Sequence, residues 1–340
     1  MTKDIAVVIL NWNGKKFLEK FLDNVISNSP QAEVIVADNN SSDDSVSFLQ
    51  KNYPDIRLII NSENGGYAKG YNDSLKQVES KYYVLLNSDI EVSKNWLQPL
   101  YELLESDNQI AASQPKLICY DDKSKFEYAG ASGGFIDKYG YPFCRGRIFN
   151  SLEDDNGQYD DIREVFWATG AALFVRSNAF WEVGGLDEDF FAHMEEIDLC
   201  WRLKNNKYKI MINPKSEVYH VGGGTLPKNS PFKTYLNFRN NLLTIQKNLP
   251  KSKFRKLLFI KLFLDGIAGL KFLFEGSYKD TFAVAKAHFG FYKMSKQNAK
   301  KRANNIHQKP SAMYDKSIVT EYYLKGKKTF DQLDESIFNN

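Results

Sequence analysis

Cysteine is scarce in this chain: Cys119, Cys144 and Cys200 are the only three in 340 residues, and no two stand close together. That spacing excludes a disulfide framework and a cysteine-based metal site, and it fits a reducing compartment. Long apolar runs are missing too. The most apolar stretch, residues 257–276, is interrupted by Lys261, Asp265, Lys271 and Glu275, whereas a membrane-spanning helix needs about 20 apolar residues with few charges. No G-x-G-x-x-G follows the first strand pattern and no G-x-x-x-x-G-K-[ST] occurs, so dinucleotide and P-loop readings lose ground. The opening Met1-Thr2-Lys3-Asp4-Ile5 lacks the layout of a secretion signal, and export is not expected.

What is present is a globular composition with an uneven charge. The net charge of +3 conceals two opposed regions. Residues 1–227 hold 23 Lys+Arg against 34 Asp+Glu, net −11, and residues 228–310 hold 18 against 3, net +15. Regions of opposite sign usually have different partners. Nucleic acid is a poor candidate for the basic region, because the rest of the chain is acidic and carries no RNA- or DNA-binding motif.

The first region reads as alternating strands and helices. Ile5 to Leu10 is an unbroken apolar strand followed by Asn11-Trp12-Asn13-Gly14. Phe17, Leu18, Phe21, Leu22, Val25 and Ile26 then recur at helical spacing. Glu33 to Asp38 is a second strand, so the unit is βαβ with a parallel pair. Ile56 to Ile60 is a third strand, leading to Asn64-Gly65-Gly66, and Tyr82-Tyr83-Val84-Leu85-Leu86 is a fourth, stopping in Asn87-Ser88-Asp89. Three strand ends thus place polar residues on one sheet edge, where open α/β sheets bind ligands. Asp89 at a strand tip can hold a hard divalent cation, which in turn can hold a diphosphate; the bland alternative is that Asn87-Ser88-Asp89 only caps a turn. Gly65-Gly66 at a helix start would let backbone amides approach an anion.

Four motifs in order carry a resemblance: Val7 to Gly14, Val36 to Asp43, Asn64 to Asn72, and Leu85 to Asp89. Together they resemble the family 2 inverting glycosyltransferases of GT-A fold, and within these the bacterial rhamnosyltransferase-like branch. The similarity continues through Trp167 to Arg176, Gly184 to Asp187 and Phe190 to Arg202, and ends near Val218-Tyr219-His220. It covers roughly the first two thirds of the chain. It implies a mixed α/β sheet flanked by helices, with the basic helical segment as a C-terminal extension.

Carried over residue by residue, the resemblance implies that Asp38 accepts a hydrogen bond from the base of a nucleoside diphosphate sugar, with Asn11 beside it. Asn64, Gly65, Gly66, Lys69, Asn72, Asn87 and Ser88 would complete the donor site. Asp89 and His220 would hold Mg²⁺ or Mn²⁺ against the diphosphate. Asn87 departs from the family pattern, which has an aspartate there, and leaves one carboxylate for the metal. His220 has a bland alternative as a histidine at the core edge. Inverting transfer also needs one base for the acceptor hydroxyl, and Glu195-Glu196-Ile197-Asp198 stands where the family usually reads Glu-Asp-x-Asp. Glu196 therefore occupies the base position, one methylene longer than usual, with Glu195 as the alternative and Asp187 or Asp198 behind both. An acid-rich helix start is the bland reading. Asp198 and Arg202, four apart, are expected to pair. Trp167, Thr169 and Gly170 are expected to shape the acceptor pocket.

The expected organisation is a GT-A domain at 1–227, a basic amphipathic helical region at 228–310, and a polar tail at 311–340 with a short helix around 318–324. Lys261, Asp265 and Glu275 form a narrow polar stripe on an otherwise apolar helix, which fits a helix lying in an anionic membrane surface; the alternative is helices packed on the domain or across a dimer. The implied activity is transfer of a sugar from dTDP-rhamnose or a UDP-sugar to a hydroxyl of a saccharide, lipid-linked, in cell-surface polysaccharide assembly. The expected place is the cytoplasm, peripheral at the inner face of the membrane. The alternative, motivated by Asn87 and Glu196, is an inactive homologue that serves as a scaffold.

Overall fold

A computed structural model describes residues 3–222, 230–302 and 310–339. The elements are β1 (Ile5–Asn11), α1 (Lys15–Asn28), β2 (Ala32–Asp38), α2 (Ser45–Asn52), β3 (Arg57–Ile60), α3 (Gly66–Leu75), β4 (Tyr82–Asn87), β5 (Ile90–Val92), α4 (Leu97–Ser106) and β6 (Ile110–Cys119). There follow β7 (Gly134–Asp137), β8 (Pro142–Cys144), β9 (Arg147–Ile148), β10 (Ser151–Leu152), β11 (Arg163–Val165), β12 (Ala172–Arg176), α5 (Ser177–Glu182), α6 (Glu195–Asn205) and β13 (Lys209–His220). The chain then forms α7 (Pro231–Asn248), α8 (Lys251–Phe274), α9 (Tyr278–Asn298) and β14 (Met313–Tyr314).

The main sheet runs β11-β13-β6-β12-β4-β1-β2-β3, with β5 paired to β13. β1 pairs in parallel with β2 and with β4, and β12 lies antiparallel to β4, which makes the sheet mixed. β1 is central because both of its faces are apolar: Val7 and Ile9 join one core with Leu22, Val84 and Leu100, while Ala6 and Val8 join the other with Ile35, Tyr71 and Leu85. That double burial is what an unbroken apolar strand dictates. The register sets Asn11 opposite Asp38 and Leu10 opposite Asn87, so the polar strand ends do line one edge.

Two expectations are corrected by packing. The polar tail expected at 311–340 packs on the domain over residues 311–339: β14 pairs in parallel with β7, and Phe330 and Phe338 meet the Phe135 ring, tilted and edge-on, at 5.1 and 4.9 Å between ring centroids. Widely spaced aromatics supplied this contact, and they left no periodic signal. The short helix expected around 318–324 is present, with Ile318 and Val319 helical and leading into a wide turn at Thr320–Leu324. The opposed charges, moreover, partly meet inside the molecule. Lys247 of α7 ion-pairs with Asp187 at 2.5 Å and Asp198 at 2.7 Å, and Lys301 pairs with Asp187 and Asp189. The boundary set at 227/228 lies outside the described residues.

Candidate active site

A cleft of about 400 Å³ opens at the carboxyl edge of the sheet. Its floor is made where β4 ends and β13 ends. Because His220 lies opposite Ile90 in the β13–β5 ladder, its ring meets the preceding Asp89: Nε2 stands 3.2 Å from Asp89 Oδ1. On the other side of the ring, Nδ1 stands 3.3 Å from Glu127 Oε1. All three side chains are buried. Burial alone would lower the His220 pKa, but the Glu127 and Asp89 carboxylates outweigh it and push it up to about 10. Burial likewise works against the Glu127 charge, and the imidazolium outweighs it, holding the carboxyl below its usual range.

Once the proton on Nε2 has been displaced, this donor set would fit a divalent cation. Two ligands at right angles around an ion with bonds of about 2.1 Å stand about 3 Å apart, close to the observed Asp89–His220 separation of 3.2 Å. A carboxylate behind a ligating histidine orients the ring, which is where Glu127 sits. Among the described residues no three His, Cys, Asp or Glu side chains gather into a complete metal site. The remaining positions would have to come from diphosphate oxygens and water.

Glu195 and Glu196 open α6 and line the same cleft. The loop before them is strained: Phe191, His193 and Met194 all have positive φ, 64°, 68° and 74°. Such backbone is disfavoured for bulky residues and persists only where the surroundings impose it. Three buried polar atoms of this wall, His193 Nε2, Glu195 Oε2 and Glu196 Oε2, have no hydrogen-bond partner among the described residues. Burial, with the Glu196 charge beside it, pushes the Glu195 carboxyl well above its usual range. Burial also pushes Glu196 up, to about 7, against the backbone amides of the helix start. Burial and then Lys233 push the His193 imidazole down to about 4, so it is neutral. Tyr67 crosses from α3 and donates its hydroxyl to the Gly170 carbonyl at 2.5 Å.

Of the residues singled out by sequence, Asn64, Gly66, Asn87, Ser88, Asp89, Thr169, Gly170, Glu195, Glu196 and His220 line this cleft. Six do not. Asp38 is buried beneath it, with Oδ2 accepting from Asn11 at 3.0 Å and Oδ1 from the Ser41 amide at 2.8 Å, so this pair joins two strand ends. Asn72 turns inward, donating to the Leu186 carbonyl at 2.8 Å and accepting from its amide at 3.0 Å. Lys69 pairs with Glu63 and Asp73 outside the cleft. Trp167 is core: its indole donates to the Phe135 carbonyl at 2.9 Å across Gly134. Gly65 does not reach the cleft wall. The expected anion site at the start of α3 is also filled, because the Tyr67 and Ala68 amides donate to the Phe191 carbonyl. Gly66, with φ of +76°, permits that approach; a Cβ there would lie 2.4 Å from the same oxygen. The acid-rich helix start is there, with Glu195, Glu196 and Asp198 in the first turn of α6; Asp187 and Asp198 are taken up by Lys247, Lys301 and Arg202, whereas Glu195 and Glu196 line the cleft.

Sequence reasoning missed Glu127, His193, Phe232 and Lys233, and did not assign Trp12, Asn39, Tyr67 or Tyr128, although all line the cleft. Trp12 was in plain view as an exposed aromatic after a strand end. Glu127 carried no local signal.

The basic segment also builds the site. The Asn240 amide nitrogen of α7 lies 3.0, 2.9 and 2.8 Å from the carbonyls of Phe190, Ala192 and His193, and Arg239 donates to those of Asp189 and Phe190. Asn240→Ala should strand these buried carbonyls. We expect a loss of about 1–3 kcal/mol in denaturant unfolding, with turnover falling more than donor affinity. Unchanged turnover would show that the loop holds its shape without α7.

Residues 6–169 match the family described as Glycosyl transferase family 2. The low-salt glycan biosynthesis hexosyltransferase Agl10 of Haloferax volcanii is 25% identical over 299 residues, covering 85% of this chain and 90% of the relative. The N-acetylglucosaminyl-diphospho-decaprenol L-rhamnosyltransferase of Mycobacterium tuberculosis is 27% identical over 237 residues, covering 65% of this chain and 76% of the relative. Among solved structures, GalNAc-T7 with UDP, GalNAc and Mn²⁺ superposes with a TM-score of 0.55 at 16% identity, over 72% of this chain and 48% of that one, so this chain spans about half of its length. The chain carries a glycosyltransferase family 2 domain of GT-A fold and is a glycosyltransferase.

Proposed function

We propose inverting transfer of a sugar from a nucleoside diphosphate donor, dTDP-rhamnose or a UDP-sugar, to a hydroxyl of a lipid-linked saccharide at the inner face of the cytoplasmic membrane, in cell-surface polysaccharide assembly. The observation that carries it is one cleft holding the Asp89–His220 pair on its floor and the unpartnered Glu195 and Glu196 oxygens on its wall. Trp12 offers an exposed ring for the base, beside Asn39 and Asn64. Asp89 and His220 would hold a divalent ion, which when bound neutralises charge developing on the leaving diphosphate. The carboxylate of Glu196 takes the proton from the acceptor hydroxyl as its oxygen bonds the anomeric carbon and the bond to the diphosphate oxygen breaks. His193, neutral, donates or accepts a hydrogen bond without adding charge. The family 2 match of residues 6–169 favours an enzyme over the scaffold alternative.

The test is sugar transfer with added Mn²⁺, followed against pH. A base must be deprotonated to act, so kcat/KM should rise with pH through the raised Glu196 value of about 7 and level off above it, the apparent pKa belonging to the Glu195–Glu196 pair. A flat profile from pH ~5 to ~8 would remove both carboxylates from the proton transfer.

A further inference from the structure

A helix on a wet surface turns its apolar stripe inward and its charges out. α8 does the reverse. Lys261 and Asp265 are 2% and 0% exposed; they pair with each other at 3.3 Å, and Asp265 also accepts from the Tyr141 hydroxyl at 3.1 Å and meets His288 of α9 at 3.4 Å. Two of the three residues of the expected polar stripe are thus consumed inside the protein, while Glu275 stays exposed and pairs with Lys271. From Leu257 to Phe274 every exposed residue is apolar or glycine, with Phe259 77%, Phe263 70% and Phe274 88% exposed. α9 continues the surface with Tyr278, Phe282, Ala285, Phe289 and Tyr292, all exposed at alternating spacings of four and three. Lys279, Lys286, Lys293 and Lys300, each seven further on, form an exposed basic row beside it, and Lys251, Lys253, Arg255 and Lys256 expose a second cluster at the start of α8. No helix among the described residues is long and apolar enough to cross a membrane.

We propose that the outer face of the α8–α9 pair docks on an anionic lipid bilayer, its aromatics in the acyl boundary and its lysines among the headgroups. Charge selects this occupant: apolar side chains flanked by exposed lysines match a surface that is apolar beneath and negative above. A second copy of the chain on the same face would set like-charged lysine rows against each other across a two-fold axis. The position suits the cleft. Thr234 near the start of α7 donates to Asp280 near the start of α9 at 2.6 Å, and the adjoining Phe232 and Lys233 line the cleft. Docking therefore brings the cleft mouth to the bilayer surface, and only this last step rests on the lipid-linked acceptor proposed above.

Vesicle flotation of the full chain tests the surface, with phosphatidylcholine alone or mixed with phosphatidylglycerol. The protein should float with the anionic vesicles and be released by high salt. Combined Phe263→Ser, Phe274→Ser and Phe282→Ser should lower the bound-to-free ratio about tenfold or more, and combined Lys279→Gln, Lys286→Gln and Lys293→Gln should abolish the preference for phosphatidylglycerol. Both variants should keep wild-type dTDP affinity and melting temperature, because the substituted side chains are exposed. The proposal is overturned by wild-type protein that stays soluble with both vesicles, by variants that float like wild type, or by a lipid-free dimer that the phenylalanine variant dissociates. Vesicle binding without sugar transfer would overturn the acceptor reading and leave the surface standing; transfer without vesicle binding would do the opposite.

Discussion

Glu196→Gln is expected to lower turnover by about 10²- to 10⁴-fold while nucleotide affinity stays nearly unchanged. Glutamine keeps the shape and removes the proton acceptor, and Glu196 lines the cleft with a buried Oε2 that has no hydrogen-bond partner among the described residues. A second readout separates this from damage to the fold. The folded pKa of Glu196 lies above its ordinary 4.5, at about 7, so the native state binds the extra proton. Stability is then lost as pH rises through that interval. The substitution should therefore raise the melting temperature above pH ~7 while it removes activity, a trade between stability and function. Glu195→Gln is the control. If it proves the more severe, the base role belongs to Glu195; if neither slows transfer, no carboxylate of this wall is the base.

Asp89→Ala should reduce nucleotide binding in the presence of Mn²⁺ to the level seen with excess EDTA, because it removes the carboxylate opposite His220 at 3.2 Å. Asn87 also lines the floor, and Asn87→Asp should keep or tighten metal-dependent binding, since another carboxylate adds charge to a hard-cation site. Calorimetry with UDP and dTDP, with and without Mn²⁺, reads both effects. Activity that persists in excess EDTA would sink the metal argument, and the imidazolium of His220 would then face the diphosphate directly.

What could be read locally was read. The order and ends of the first four strands follow from unbroken apolar runs that stop in polar clusters, and parallel pairing then sets those ends on one edge. Asp89, His220, Glu195 and Glu196 were found because each sits at the end or start of an element within a motif. Asn72 and Trp167 sit in motifs too, yet their side chains turn inward to the Leu186 backbone and the Phe135 carbonyl. A motif names a position; it does not say which way a side chain points.

By itself, the sequence determined the GT-A sheet, the edge on which the cleft opens and the chemical types at its floor and wall, because periodicity, strand termination and short motifs are properties of neighbouring residues. Only the tertiary structure decided the rest. It brought Glu127 behind His220 across 93 positions of sequence, set Asn240 under the strained loop before α6, folded residues 311–339 onto β7, and turned Lys261 and Asp265 inward so that α8 shows its apolar face. Each of these depends on which distant element packs alongside. The free energy that selects that neighbour comes from burying surface and pairing polar groups over the whole molecule, which no window of sequence contains.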